Sequence, residues 1–151
     1  MIRNILRSAL LSILLLYACK TYSPADLPAH RLQFGSGGGF TGMVTEYTLL
    51  RNGQLFVRTG RAGAGEWEEM SRIKSSEARS LYQRWHDNTL FKERIQQPGN
   101  RYYFINMQQD STEYRQSWGA SDYTPDDALK AFFDKAMELV KTAAPDNETN
   151  R

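Results

Sequence analysis

Asn52-Gly53 lies directly between two β-branched and aromatic runs, MVTEYTLLR (43–51) and QLFVRT (54–59). An Asn-Gly pair in that setting is the strongest short-range hairpin signal, because both turn positions take the positive φ that a tight reversal of twisted strands needs. It commits this part of the chain to antiparallel strands. Upstream, RLQFGS (31–36) sets Leu32 and Phe34 in alternation with Arg31, Gln33 and Gly35, the pattern of a first strand. Downstream, GRAGAG (60–65) is a turn-rich loop, and EWEEMSRI (66–73) reads as a further strand with Trp67, Met70 and Ile73 inward. RYYFINMQQ (101–109) and STEYRQSWG (111–119) read as a second hairpin.

Two helices accompany these strands. In SSEARSLYQRWHDN (75–88), Ala78, Leu81, Tyr82 and Trp85 fall at i, i+3, i+4 and i+7, one apolar stripe, with Ser75 as the expected N-cap. The last helix opens with Thr124 as expected N-cap, Pro125 at N1 and Asp127 reaching back to the cap. Its apolar face is Leu129, Phe132, Phe133, Ala136, Met137 and Val140. Strand pairs with helices to cover one face predict an α+β fold, a small antiparallel sheet of hairpins packed by two helices over 31–142. A polar, flexible tail is expected over 143–151.

The N-terminus constrains location. MIRNILRSALLSILLLYACK places Arg3 and Arg7 before an apolar stretch, Ile5 to Ala18, that is short for a bilayer span of about 20 residues. Leu16, Tyr17, Ala18 and Cys19 then resemble the lipobox of bacterial lipoproteins. That resemblance implies a signal peptide over 1–18, cleavage before Cys19, and lipid attached to Cys19. Cys19 is the only cysteine, so a thiol used this way leaves no disulfide in the mature chain. Several acyl chains on one terminus give stable anchoring. Lys20 stands where an Asp tends to retain enterobacterial lipoproteins in the inner membrane. The expectation is therefore the outer membrane, facing the periplasm. KTYSPADLPAH (20–30) has two prolines and no periodicity, and completes an expected lipidated tether over 19–30.

Charge excludes some partners. Without Arg3 and Arg7, seventeen basic residues face seventeen acidic ones, and no basic run survives. No nucleic-acid partner is expected. His30 and His86 are the only histidines, and no metalloprotease, EF-hand or G-x-S-x-G spacing occurs. No metal, cofactor or catalytic residue is therefore expected, and the chain is read as non-enzymatic.

The least ordinary segment is FGSGGGFTG (34–42), five glycines in nine residues. It precedes a strand and no Lys lies near it, whereas a phosphate loop leads into a helix. Two readings stand. The glycines form a strand-to-strand turn or bulge, or they bare the backbone and present Phe40 on a flexible stem to a partner protein. Gly38, Gly39, Phe40, Thr41 and Gly42 are then the candidate contact. In the architectural version, Phe40 lies buried beneath the last helix.

The same residues carry a family resemblance. Gly38-Gly39-Phe40-Thr41-Gly42 resembles the G-G-F-x-G strand-turn motif of emfourin-like inhibitors of thermolysin-type metalloproteases, and Pro98 to Tyr102 resembles their Pro-x-x-x-Tyr strand. With the closing helix, the likeness spans roughly residues 31 to 141. It implies a small α+β inhibitor domain. The acidic GEWEEM (65–70) and the lipobox depart from that family's pattern. Two functions are therefore in view: a lipid-anchored envelope protein that binds another envelope protein, or an anchored protease inhibitor.

Overall fold

The computed structural model describes residues 20–87 and 94–144; the lipobox, including Cys19, and the tail from 145 lie outside them. The elements are β1 (Arg31–Gly38), β2 (Met43–Leu49), β3 (Leu55–Arg61), β4 (Glu68–Glu69), α1 (Ser75–Asp87), β5 (Gln96–Gln97), β6 (Arg101–Gln109), β7 (Thr112–Trp118) and α2 (Asp127–Ala143). The strands form one sheet in the order β4-β3-β2-β1-β6-β7-β5. Every pairing is antiparallel except β5 with β7. The α+β expectation holds, with that parallel edge as an addition.

β1 is the hinge of the architecture, because it pairs with β2 on one side and β6 on the other and so fuses the two hairpins. Its alternation gives it two different faces. Leu32 and Phe34 are fully buried in one core with Leu49, Leu55, Ile105, Met107 and Trp118 of neighbouring strands. The helices close that core with Ala78, Leu81, Tyr82 and Trp85 of α1 and Leu129, Phe132, Phe133 and Ala136 of α2. Trp85 meets Phe132 edge-on at 5.7 Å, and Trp118 meets Phe133 edge-on at 5.2 Å. Leu139 and Ala143 are also buried, while Met137 is only half-buried. The last turn of α2 is thus seated in the core, and the domain reaches Ala143 rather than stopping at 142.

Tyr82 ties helix to sheet. Its hydroxyl donates to Leu49 O (2.7 Å) and accepts from Leu32 N (3.0 Å). Burial pushes this phenol well above its ordinary value, against weaker pulls from the Leu32 bond, Arg51 and Arg31.

The opposite face of the sheet carries a polar row as well as the buried rings of Phe56 and Phe104. Arg58 holds Glu46 through Nε (3.0 Å) and Nη2 (2.6 Å), and Glu46 accepts from Gln33 Nε2 (2.7 Å). Asn106 Nδ2 donates to Gln33 Oε1 (3.0 Å) and to Glu113 Oε1 (2.7 Å). The chain of bonds crosses β3, β2, β1, β6 and β7. Trp67 covers the Arg58 guanidinium at 4.5 Å, and Arg115 covers the Phe104 ring at 4.9 Å.

Several local expectations are corrected. Asn52 does not take positive φ; only Gly53 does, at 89°. Leu50 O accepts from Gly53 N, and Leu50 N donates to Gln54 O, both at 2.9 Å. The reversal is a longer turn closed by a left-handed glycine, the three-residue hairpin class rather than the two-residue one. The Asn52 side chain is spent on the loop itself, its Oδ1 accepting from Gln54 N (2.9 Å). Residues 66–73 yield only the two-residue β4, because the Trp67, Met70, Ile73 spacing does not alternate. Ser75 does not cap α1: its hydroxyl accepts from Arg79, and Lys74 O takes the Ala78 N–H. Asp126, not Thr124, caps α2, with Oδ1 accepting from Leu129 N at 2.7 Å.

The segment read as a loose tether is docked. Tyr22 N donates to Gln54 Oε1 (2.8 Å), and Gln54 Nε2 donates to Tyr22 O (2.9 Å). Asn52 Nδ2 donates to Lys20 O (2.8 Å). Gln54 is fully buried, so it offers the backbone of Tyr22 the reciprocal pair that a neighbouring strand would offer.

Candidate functional site

The glycine segment sits where β1 ends and β2 begins, at the sheet end away from the β2–β3 loop. Its glycines are there for internal reasons. A side chain on Gly38, whose φ is 92°, would strike Asn100 O at 2.1 Å. One on Gly37 would strike the Tyr102 ring. Gly37 and Gly38 are thus closely approached by Asn100 and Tyr102, and not by α2.

The turn itself is held rather than flexible. Gly39 N donates to Asn100 O (2.6 Å), Gly42 N to Gly39 O (3.1 Å), and Ala62 N to Gly42 O (3.0 Å). Phe40 and Thr41 are the two central residues of a closed turn pinned to β6 on one side and to the end of β3 on the other. Gly39 and Gly42 supply its positive φ values, 73° and 62°. Phe40 is exposed to 107 % of its reference area, which excludes burial under α2.

Beside this turn is a shallow groove of about 350 Å³, lined by Ser36, Thr41, Met43, Thr45, Arg101 and Tyr103 among others. Met43 and Tyr103 are the apolar part, 41 % and 46 % exposed. Tyr103 is oriented from below, stacked on Trp118 at 6.0 Å and edge-on to Phe133 at 5.5 Å. It stands on the face the helices cover, at the margin of that cover, where α2 meets it only through Phe133. Phe104 is sealed by Arg115, with Tyr102 beside it at 6.3 Å. Of the exposed large aromatic and apolar residues, Phe40, Met43 and Tyr103 gather at this sheet end, and Tyr114 stands apart on β7.

The groove's chemistry is that of contact. Among the described residues its only charged lining residue is Arg101, accompanied by hydroxyls, and no histidine, cysteine or carboxylate lines it. Among the described residues no group of three or more His, Cys, Asp and Glu is arranged to hold a metal ion. His30 lies at the other end, 3.2 Å from Asp110 with both exposed, and His86 ends α1 in solvent. Of the candidate residues, the structure brings Gly38 to Gly42 together as one turn and adds Met43, Arg101 and Tyr103. Alternation along RYYFIN places Tyr103 on the core face but does not show that α2 covers it only in part.

No family model matches the chain, and no curated protein sequence matches it. Among the described residues no helix is long and apolar enough to cross a membrane.

Proposed function

We propose that the mature chain is a lipid-anchored protein of the bacterial cell envelope whose domain binds another protein without catalysis, through the Gly38–Gly42 turn and its groove. The observation that carries the contact is Phe40, a large apolar side chain fully in solvent on a turn closed by its own hydrogen bonds. An apolar residue so exposed adds nothing to the core. On a preorganised turn it binds without a large ordering cost. The anchor rests on the order of Arg3 and Arg7, the apolar stretch and the Leu16–Cys19 lipobox. Lys20 after the cysteine favours the outer membrane, with the domain in the periplasm. A second reading, inhibition of a thermolysin-type metalloprotease, is favoured by the position of Gly38-Gly39-Phe40-Thr41-Gly42 at a strand-turn junction.

Two variants test this. Cys19→Ser should release the domain from the membrane fraction and abolish labelling by a fatty-acid probe; unchanged fractionation and labelling would remove the anchor from the reading. Phe40→Ala should keep native stability to within about 0.5 kcal/mol, as surface substitutions do. It should also lose the partner captured by crosslinking in native envelopes. Capture that survives Phe40→Ala would move the contact elsewhere. Inhibition of a purified thermolysin-type protease that Phe40→Ala abolishes would select the second reading.

A further inference from the structure

The lipid on Cys19 is part of the proposed function, and the orientation of the domain on the membrane rests on that reading. The first residues after the cysteine are gripped at once. Lys20 O takes a hydrogen bond from Asn52, Thr21 Oγ1 one from Arg72 (3.3 Å), and Tyr22 exchanges two with the buried Gln54. A free segment over residues 19–30 could extend roughly 40 Å, at about 3.3–3.6 Å per residue, and leave the domain unoriented. Gripped at Lys20 and Tyr22, the chain leaves only one to three residues of slack, about 10 Å, between the lipid and the β2–β3 loop.

We infer that the β2–β3 loop, Leu50 to Gln54, is the membrane-facing end of the domain and lies on the bilayer surface. Leu32 pairs with Leu49 and Gly38 with Met43, so the Phe40 turn is at the other end of the same two strands. Six strand steps of about 3.3 Å hold that turn roughly 20 Å further out. The surface around the strap suits lipid headgroups. A groove of about 400 Å³ runs between strap and loop, lined by Lys20, Tyr22, His30, Leu50 and Arg51 among others. Among the described residues its lining holds two cations and no carboxylate; of the acids near the strap, Asp110 pairs with His30, and Glu69 accepts from Gln54 and faces Arg72 at 3.9 Å. Cations at that position meet the negative potential of a bilayer containing acidic lipids. The anchored domain is therefore oriented, with its contact turn presented away from the membrane.

The test uses the lipidated mature protein in vesicles of phosphatidylethanolamine and phosphatidylglycerol that contain a headgroup-nitroxide lipid. Arg51→Cys and Phe40→Cys, each labelled with bimane, report the two ends, since a lipidated Cys19 has no free thiol. Severalfold stronger quenching at position 51 than at position 40 is expected. Tyr22→Pro removes the N–H that Gln54 accepts; it should keep the protein on the vesicles and erase most of that difference. Equal quenching at both positions on vesicle-bound protein would overturn the orientation and leave the anchor standing. A difference that survives Tyr22→Pro would overturn the role of the strap. Protein that carries no fatty-acid label and does not float with the vesicles would remove both the anchor and the orientation.

Discussion

Tyr82 shows how one atom joins two layers. Its hydroxyl satisfies Leu49 O and Leu32 N together, at the point where β1 begins between β2 and β6. Tyr82→Phe keeps the ring and removes the oxygen, which leaves a buried donor and a buried acceptor unpaired. Urea unfolding at pH 7 should show a loss of about 1–3 kcal/mol. The hydroxyl also makes stability depend on alkaline pH. Burial raises its pKa in the folded chain, so the unfolded chain releases the proton first. Stability from this group is complete below about pH 10, its ordinary value, and declines as pH rises above it. The Phe variant should decline less steeply there; Tyr47, also raised by burial, retains part of the slope. Parallel pH profiles for the two proteins would show that Tyr82 does not titrate with unfolding. The position of Tyr82 on the apolar stripe is legible from spacing. Its hydrogen bonds are not, because its partners lie 33 and 50 residues away.

At the scale of elements, the pairing of Gln54 with Tyr22 makes residues 20–30 part of the domain. A chain beginning at Arg31 loses both bonds to a buried amide, and a chain beginning at Lys20 keeps them. Chemical denaturation should separate the two by about 1–3 kcal/mol. Equal midpoints and slopes would mean that water replaces the strap at no cost. Period and turn chemistry make the main strands and both helices readable, but local signals misplace the cap of each helix. Thr124 and Asp126 are both good caps in isolation, and the choice falls to the one whose carboxylate meets the Leu129 N–H once Leu129 is seated in the core. The same holds for Asn52. Gln54 is drawn inward to bind the strap, and Asn52 is left to brace the loop.

For the whole molecule, one core spans both helices and the central strands, so the domain should unfold as a unit. Tryptophan fluorescence and far-ultraviolet dichroism should give coincident transitions. Phe132→Ala, which removes the ring that meets Trp85, should shift both by about 3–5 kcal/mol. Transitions that separate in the variant would divide the helices from the sheet. The sequence by itself determined the fold class, the two hairpins and the apolar face of each helix, because those depend on neighbours a few residues apart. It also marked Gly38 to Gly42 as unusual. Only the tertiary structure decided why. Asn100 and Tyr102 of the second hairpin crowd Gly38 and Gly37, a contact between segments more than sixty residues apart that no local pattern contains. That crowding pins the turn and sends Phe40 outward, while α2 covers Tyr103 beside it only in part. Burial depends on what arrives from elsewhere in the chain, and alternation along one strand records only the side on which a residue stands.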